Sequence, residues 1–318
     1  MKVIMPLGWG INTLKPGIKG KDKNFLGDEM TGNSIRSALL EYADIEYCEL
    51  VCSEHGVGVE DSIGQLDVAV DLNRTCRDRE RAKHQLWYFQ NGEGEGTDRT
   101  FELYAQYYDG IIFAAKKAYD KYKDFKTRSG HGVVFMPLAA DPHLFHPVDP
   151  DPAYAFDVAY CGNDIKRHRT MPYLGPAMQY NFGLFGRWSE EHRELLGPIS
   201  KGQIDFEQLR KLYSSSRAII NIHYQDCLDW GLWAGRIYDV LACEGFLISD
   251  RPYGIPEEFD KHVVWSLGGE NLAEQLEYFL ADPERTKPFR EGAREFITRN
   301  HTWKHRTEIL HNYLQEFK

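Results

Sequence analysis

Short apolar runs alternate with segments of helical spacing along this chain. In the first half, continuous apolar runs predict buried strands at residues 2–7, 45–51, 66–72, 85–89, 110–114 and 132–136. Apolar positions three and four residues apart predict helices at residues 35–42, 99–108 and 116–125. Because strands that alternate with helices usually pair in parallel, this half predicts a doubly wound α/β sheet.

A proline-rich stretch at residues 140–152 interrupts the pattern, which then restarts. The second half predicts strands at 156–161, 182–185, 217–222, 246–249 and 263–265, and helices at 167–179, 206–214, 272–281 and 288–317. A length of 318 residues suits two domains of about 150 residues each. We therefore predict two Rossmann-like domains facing across a cleft, at 1–147 and 148–295, and a C-terminal helix at 296–318 that packs back toward the first.

Composition narrows the classes of function. A formal charge of -10 disfavours a general nucleic-acid-binding surface. The apolar run at the amino terminus is too short for a signal peptide, and no stretch reaches the roughly 18 apolar residues of a membrane span. The cysteines form no C-x-x-C pair, and Asp226 and Asp229 lack a clear third ligand. We expect a cytoplasmic protein with no membrane span and no bound metal.

Residues 221–251 form a predicted strand-loop-helix-strand unit with polar residues at strand ends. Asn221 and His223 follow an apolar run, at the carboxyl end of the predicted strand. Open α/β sheets bind ligands at this edge, so both side chains are candidate ligand contacts. For His223 the alternative is a core-edge histidine whose hydrogen bonds are satisfied by the protein.

Arg236 and Asp239 lie three residues apart where this unit's loop enters its helix, next to Gly235. Arginine presents a fork of donors that suits a diphosphate. A carboxylate accepts hydrogen bonds from the vicinal hydroxyls of a ribose. The alternative is an ion pair within the helix, worth a few tenths of a kcal/mol. The position at the strand ends favours a site for a nucleotide sugar.

Two other strand ends in the second half carry candidate donor-binding residues. Gly162 and Asn163 follow one strand, with Lys166 and Arg167 close behind, and backbone amides beside such cations suit a phosphate. The alternative is an ordinary turn with solvated charges. After the next strand, Arg187 and Trp188 are candidates for a phosphate contact and for stacking on a base. Their alternative is a solvated arginine beside a tryptophan that covers the core edge.

The first half offers weaker candidates for an acceptor site. Gly8 and Gly10 follow the first predicted strand, and Asn33 lies in a predicted glycine-rich loop at residues 27–34. Neither loop contains the dinucleotide or P-loop glycine pattern. Glu93, in an acidic loop, is a further candidate, with a mobile solvated loop as the alternative.

Four segments together resemble the glycosyltransferases of the GT-B fold, and within them the group related to the spore maturation protein CgeB. The segments are FMPLAADPHLFHP at 135–147, DVAYCGN at 157–163, RIYDVLAC at 236–243 and HTWKHR at 301–306. The resemblance spans most of the chain and is strongest from 132 to 302. It implies that the second domain holds a nucleotide-sugar donor and that the first holds the acceptor.

The resemblance also implies roles for particular residues. Arg236, together with Lys166 or Arg167, would stabilise the departing diphosphate without a metal ion. Asp239 stands where the group has a glutamate and would bind the ribose. Related retaining enzymes carry a second acid eight residues earlier, where this chain has Gly231.

The sequence thus predicts a glycosyltransferase that moves a sugar from a UDP- or GDP-sugar to an acceptor hydroxyl, with retention. The nucleotide sugar is a co-substrate, and no other cofactor is expected. One alternative is a transferase acting on modified DNA bases, as in some phage enzymes. Another is a non-catalytic protein that binds nucleotide sugars, and a third is a sugar-nucleotide epimerase on the same two-domain plan. The acceptor and the oligomeric state are left open.

Overall fold

The computed structural model describes residues 1–7, 27–51, 59, 61–72, 81–90, 96–163 and 167–318. Its packing divides the chain into two compact units. Unit 1 comprises Met1–Leu138, Trp230–Trp233 and Trp303–Lys318, and unit 2 comprises Ala139–Asp229 and Ala234–Thr302. The domain bounds predicted from the sequence, 1–147, 148–295 and 296–318, stay a prediction.

Unit 1 contains a parallel sheet of six strands in the described part of the chain. The strands are β1 (Lys2–Pro6), β2 (Tyr47–Val51), β3 (Leu66–Asp71), β4 (Ala82–Phe89), β5 (Gly110–Phe113) and β6 (Val133–Phe135). They pair in the order β2-β1-β3-β4-β5-β6, every neighbour parallel. Continuous apolar runs form these strands because helices flank the sheet and both of its faces are buried.

Unit 2 contains a second parallel sheet. Its strands are β7 (Val158–Cys161), β8 (Phe182–Phe185), β9 (Ala218–Asn221), β10 (Leu247–Ser249) and β11 (Val263–Trp265). They pair in the order β11-β10-β9-β7-β8, all parallel. From β7 the chain passes first to β8 on one side and then to β9 on the other. The reversal between β7 and β9 is a topological switch point, where such sheets bind ligands. The predicted fold of two Rossmann-like α/β domains is confirmed.

Helices connect the strands in both units. They are α1 (Gly27–Leu39), α2 (Thr97–Tyr104), α3 (Lys116–Tyr122), α4 (Thr170–Leu174), α5 (Glu190–Leu196), α6 (Phe206–Ser215), α7 (Gln225–Trp230), α8 (Gly235–Ala242), α9 (Gly269–Ala281), α10 (Lys287–Arg290), α11 (Ala293–Asn300) and α12 (Trp303–Leu314). Among the residues described, no helix is long and apolar enough to cross a lipid bilayer.

The glycine-rich loop predicted at residues 27–34 is wrong, because helix α1 begins at Gly27. Gly32 serves close packing: a β-carbon there would lie 2.8 Å from Leu50 Cδ2 and 3.1 Å from Leu72 Cδ1. Leu50 and Leu72 belong to the buried core beneath the helix. The glycine thus lets α1 approach the sheet, and helix packing outweighs its low helix propensity.

Three other helical segments differ from the predicted ones. The helix predicted at 167–179 is broken into 3₁₀ turns on either side of α4, in a segment that contains Pro172 and Pro176. Helix α7 occupies part of what was predicted as a loop after β9, and α5 was not predicted. Both are short, so the apolar period that reveals a helix repeats too few times in them.

The C-terminal helix α12 is part of unit 1. The hydroxyl of Tyr313 donates to the carbonyl of Gly132 at 2.6 Å and accepts from the amide of Ile111 at 3.2 Å. His311 stacks on Tyr42, with ring centres 3.9 Å apart, and contacts Asp44 Oδ1 at 2.8 Å. These contacts fix the helix against β5 and the turn before β2.

Candidate active site

Arg236, in the first turn of α8, lies across the carboxyl ends of two strands of unit 2. Its Nη1 donates to Asn221 Oδ1 at 2.8 Å, and its Nη2 donates to the carbonyl of Cys161. The guanidinium also lies 5.1 Å from the ring centre of Tyr160. Its Nε is buried and has no hydrogen-bond acceptor among the described residues. The cation is therefore fixed at the switch point, and its buried Nε–H is unused.

Two glycines make room for this arrangement. A β-carbon on Gly162 would lie 2.6 Å from the Tyr160 hydroxyl and 3.0 Å from Arg236 Nη2. Gly186, with φ +133°, approaches so closely that a β-carbon there would overlap the carbonyl oxygen of Gly162. The ends of β7 and β8 thus pack backbone against backbone, and a side chain at either position would displace the arginine or the strand ends.

Asp239 lies one turn further along α8 and is buried, with 7% of its surface exposed. Within the described part of the chain, no hydrogen bond reaches its carboxylate, and the ion pair with Arg236 is not formed. A β-carbon on Gly235 would lie 3.9 Å from Asp239 Oδ2, which places the carboxylate beside the start of α8. Burial raises its pKa well above the usual value; the charge of Arg236 lowers it and that of Asp141 raises it further.

A second polar group occupies the ends of β9 and β10. His223 Nδ1 lies 2.5 Å from Asp250 Oδ1, and the His223 amide donates to Asp250 Oδ2 at 3.0 Å. The amide of Ala234 donates to His223 Nε2 at 3.1 Å. Because Nε2 accepts, Nδ1 carries the proton and donates to Asp250. Both ring nitrogens of His223 are thus engaged by the protein.

Arg169 completes this group from the turn before α4. Its Nη2 donates to Asp250 Oδ2 at 2.5 Å and its Nε to the carbonyl of His223 at 3.2 Å. Burial alone would raise the pKa of Asp250, but His223 and Arg169 hold it below its usual value. Asn221 extends the network, since its Nδ2 donates to Ser249 Oγ at 2.9 Å. The polar side chains at these strand ends therefore satisfy one another.

The remaining predicted donor residues of unit 2 lie around β7 and β8. Trp188 is half-buried, its rings 6.2 Å from those of Tyr160, and its indole N–H is buried with no acceptor in the described region. Arg187 is exposed, and Asn163 is half-buried directly after Gly162. The structure brings these residues to the same edge of one sheet, as predicted, and their contacts with a donor stay a prediction.

Other predicted site residues fall elsewhere. Arg167 begins the turn before α4, and Asn33 lies half-buried within α1 of unit 1. Four predicted residues lie outside the described residues: Gly8, Gly10, Glu93 and Lys166. Across the described ranges, no group of three or more His, Cys, Asp or Glu side chains is arranged to hold a metal ion.

Gly231 is the position where the resemblance drawn from the sequence would place an acid. Its φ is +73°, a left-handed conformation that side-chain-bearing residues rarely adopt. Its carbonyl accepts from the amide of Lys116 at 3.0 Å, within unit 1. The backbone at this position therefore favours glycine over an acid.

Asp250 and Ser249 were missed as site residues, although the signal was present. Asp250 directly follows the apolar run of β10, as His223 follows that of β9. In the parallel register Ser249 lies opposite Asn221. The strand-end argument used for His223 applies equally to Asp250, once β9 and β10 are recognised as neighbours.

Comparison with known proteins relates these features to a family. Residues 166–312 match the family described as glycosyl transferase-like. No curated protein matches the chain in sequence.

Solved structures share its fold along most or all of its length. The Anabaena protein HepE, in complex with UDP and glucose, is 9% identical, with a TM-score of 0.69 over 99% of this chain and 100% of HepE. A Rickettsia africae glycosyltransferase is 11% identical, with a TM-score of 0.67 over 99% and 98%. Sucrose-phosphate synthase from Thermosynechococcus elongatus is 14% identical, with a TM-score of 0.60 over 78% and 73%. The family match covers less than half of the chain, and the likeness to these structures shows that the chain has the GT-B fold.

Proposed function

We propose that this protein transfers a sugar from a UDP- or GDP-sugar to an acceptor hydroxyl, that unit 2 binds the donor, and that the chain belongs with the group related to CgeB. The observation that carries the proposal is Asp239. A carboxylate buried without hydrogen bonds destabilises a free protein. A ribose supplies the missing donors through its two hydroxyls. The loss of stability in the free protein is explained if the carboxylate binds a ligand.

Arg236 is the proposed partner of the diphosphate. In the reaction the bond between the anomeric carbon and the β-phosphate oxygen breaks, and a bond to the acceptor oxygen forms. Negative charge grows on the leaving diphosphate, which takes up the proton that the acceptor hydroxyl loses. A fixed guanidinium beside the amino end of α8 stabilises that charge without reorganising. This arrangement supports transfer that needs no metal.

The stereochemical course is proposed to be retention, as in the enzymes that the chain resembles. The usual second acid does not take part, since Gly231 occupies its place. That same glycine supports a second candidate function, a protein that binds nucleotide sugars without catalysis. Hydrolysis of the donor by the purified protein separates the two, because many transferases slowly pass the sugar to water and a binding protein does not.

A thermal-shift screen tests donor binding first. UDP is the first probe because HepE was solved with UDP, and GDP, ADP and CDP complete the set. A ligand at 100 times its Kd stabilises the folded state by about 2.7 kcal/mol. We expect UDP or GDP to raise the Tm clearly and the other nucleotides to raise it less. If no nucleoside diphosphate raises the Tm, the proposed function is wrong.

A further inference from the structure

The amino end of α8 has no side-chain cap of its own. Its capping position is Ala234, which offers no hydrogen-bonding side chain. The Ala234 amide instead donates to His223 Nε2 at 3.1 Å. His223, which lies outside α8, therefore holds in place the backbone that leads into Gly235 and Arg236.

His223 is itself held rigidly. Its side chain is 1% exposed and that of Asp250 is 3% exposed. Asp250 accepts from both the ring and the amide of His223, and Arg169 clamps the same carboxylate and the His223 carbonyl. A buried group in which every member is satisfied specifies one geometry. The chain Arg169–Asp250–His223–Ala234 thus links the ends of β9 and β10 to the start of α8.

We propose that His223 is a positioning residue of the donor site, which acts by accepting the Ala234 amide and so placing Arg236 and Asp239 for the diphosphate and the ribose. The inference rests on the proposed function. It also gives His223 a role different from the direct donor contact that the sequence suggested. The groups that face His223 are the charged Asp250 and Arg169 and the neutral Asn221.

Two substitutions separate this role from a merely structural one. His223→Gln places an amide oxygen near the position of Nε2, where it can accept from Ala234. Asparagine is shorter, so His223→Asn can keep only the bond to Asp250 and loses the bond from the Ala234 amide. We expect titration calorimetry with UDP, or with GDP if only GDP shifts the Tm, to show affinity lowered about tenfold or more for Asn. Gln should recover most of that loss. Equal loss in both variants, or no loss in either, would overturn the inference.

The control is His262→Gln. His262 is also buried and bonds a carbonyl, with Nδ1 3.0 Å from the Phe289 oxygen, but it lies before β11 at the opposite end of the strands. Its UDP affinity should equal that of the wild type. If the wild type binds neither UDP nor GDP, the proposed function fails, and the inference with it. If the wild type binds and the two His223 variants bind equally well, only the inference fails.

One readout does not depend on stability. Nitrogen NMR of the wild type should find the proton of His223 on Nδ1. A proton found on Nε2 would overturn the inference even if both variants fail to fold.

Discussion

The polar side chains at the strand ends of unit 2 and those on the first two turns of α8 differ in whether their hydrogen bonds are satisfied within the protein. At the ends of β9 and β10, His223, Asp250 and Asn221 are buried and bonded to one another or to Arg169. On α8, Asp239 is also buried, though with 7% of its surface exposed, and meets no donor among the described residues, and Arg236 keeps its buried Nε unused. Polar groups that satisfy each other build a scaffold, whereas in the proposed function the unsatisfied ones bind the donor. The comparison separates residues that hold the backbone of the site in place from Arg236 and Asp239, which would contact the donor.

The largest effect is expected in the scaffold. Asp250→Ala leaves the buried His223 and the half-buried Arg169 without their common acceptor, which should lower the free energy of unfolding by about 3–5 kcal/mol. Urea denaturation measures the loss. Asp229→Ala is the matched control, because Asp229 is exposed and bonds only Gln225 in the residues described. Its change should stay within about 0.5 kcal/mol. A similar small change in both variants would show that the network is no scaffold.

Arg236→Ala tests the group that belongs to both regions. Donor hydrolysis should fall by about 10²–10³-fold, the loss typical of a removed charge-stabilising donor. Some stability should also be lost, since Asn221 and the Cys161 carbonyl lose a partner, so circular dichroism must accompany the assay. Arg236→Lys keeps the charge without the planar fork of donors, so its rate of donor hydrolysis should lie between those of the wild type and Arg236→Ala. Arg285→Ala, at a surface site, is the control, and turnover near normal in Arg236→Ala would contradict the assigned role.

Gly162→Ala should disturb the arginine by crowding. Its β-carbon would press on Tyr160 and on Arg236 Nη2, at a cost of about 1–3 kcal/mol. Gly175→Ala is the control, because there the nearest atom, Met171 Cε, lies 3.7 Å away. Thermal denaturation of the pair compares them directly. Equal Tm values would mean that the ends of β7 and β8 are looser than the structure shows.

The smallest effect is a change of stability with pH, and it concerns Asp239. Its pKa is raised in the folded protein, so the folded state keeps a proton that the unfolded chain releases. Stability from this group is therefore fully present below the ordinary pKa of about 3.9 and declines as the pH rises toward the folded value. Asp239→Asn removes the decline. Urea denaturation across this pH window should show a flatter profile for the variant, and parallel profiles would contradict the raised pKa.

The sequence predicted the fold well because buried parallel strands carry an unambiguous apolar signal. It also placed Asn221, His223, Arg236 and Asp239 at one edge of one sheet. For His223 it gave hydrogen bonds within the protein only as the alternative, and it did not name Asp250 as the partner, because that contact depends on the pairing of β9 with β10. Nor did it predict that α1 begins at Gly27. Gly27 and Gly32 favoured a loop there, and the close packing that requires Gly32 is not visible in the sequence. Contacts between strand ends are set by tertiary pairing, which local pattern does not contain.

The most direct test of the central claim is the Tm of the wild type and of Asp239→Asn at neutral pH, each with and without UDP, or with GDP if the screen selects it. Asp239→Asn should raise the Tm of the free protein and reduce its response to the nucleotide: the free variant melts higher than the free wild type, because a buried unpaired carboxylate is gone, and the nucleotide raises its Tm much less. A variant that melts lower when free, or that responds to the nucleotide as fully as the wild type, would contradict the claim that Asp239 is kept unsatisfied for a ribose.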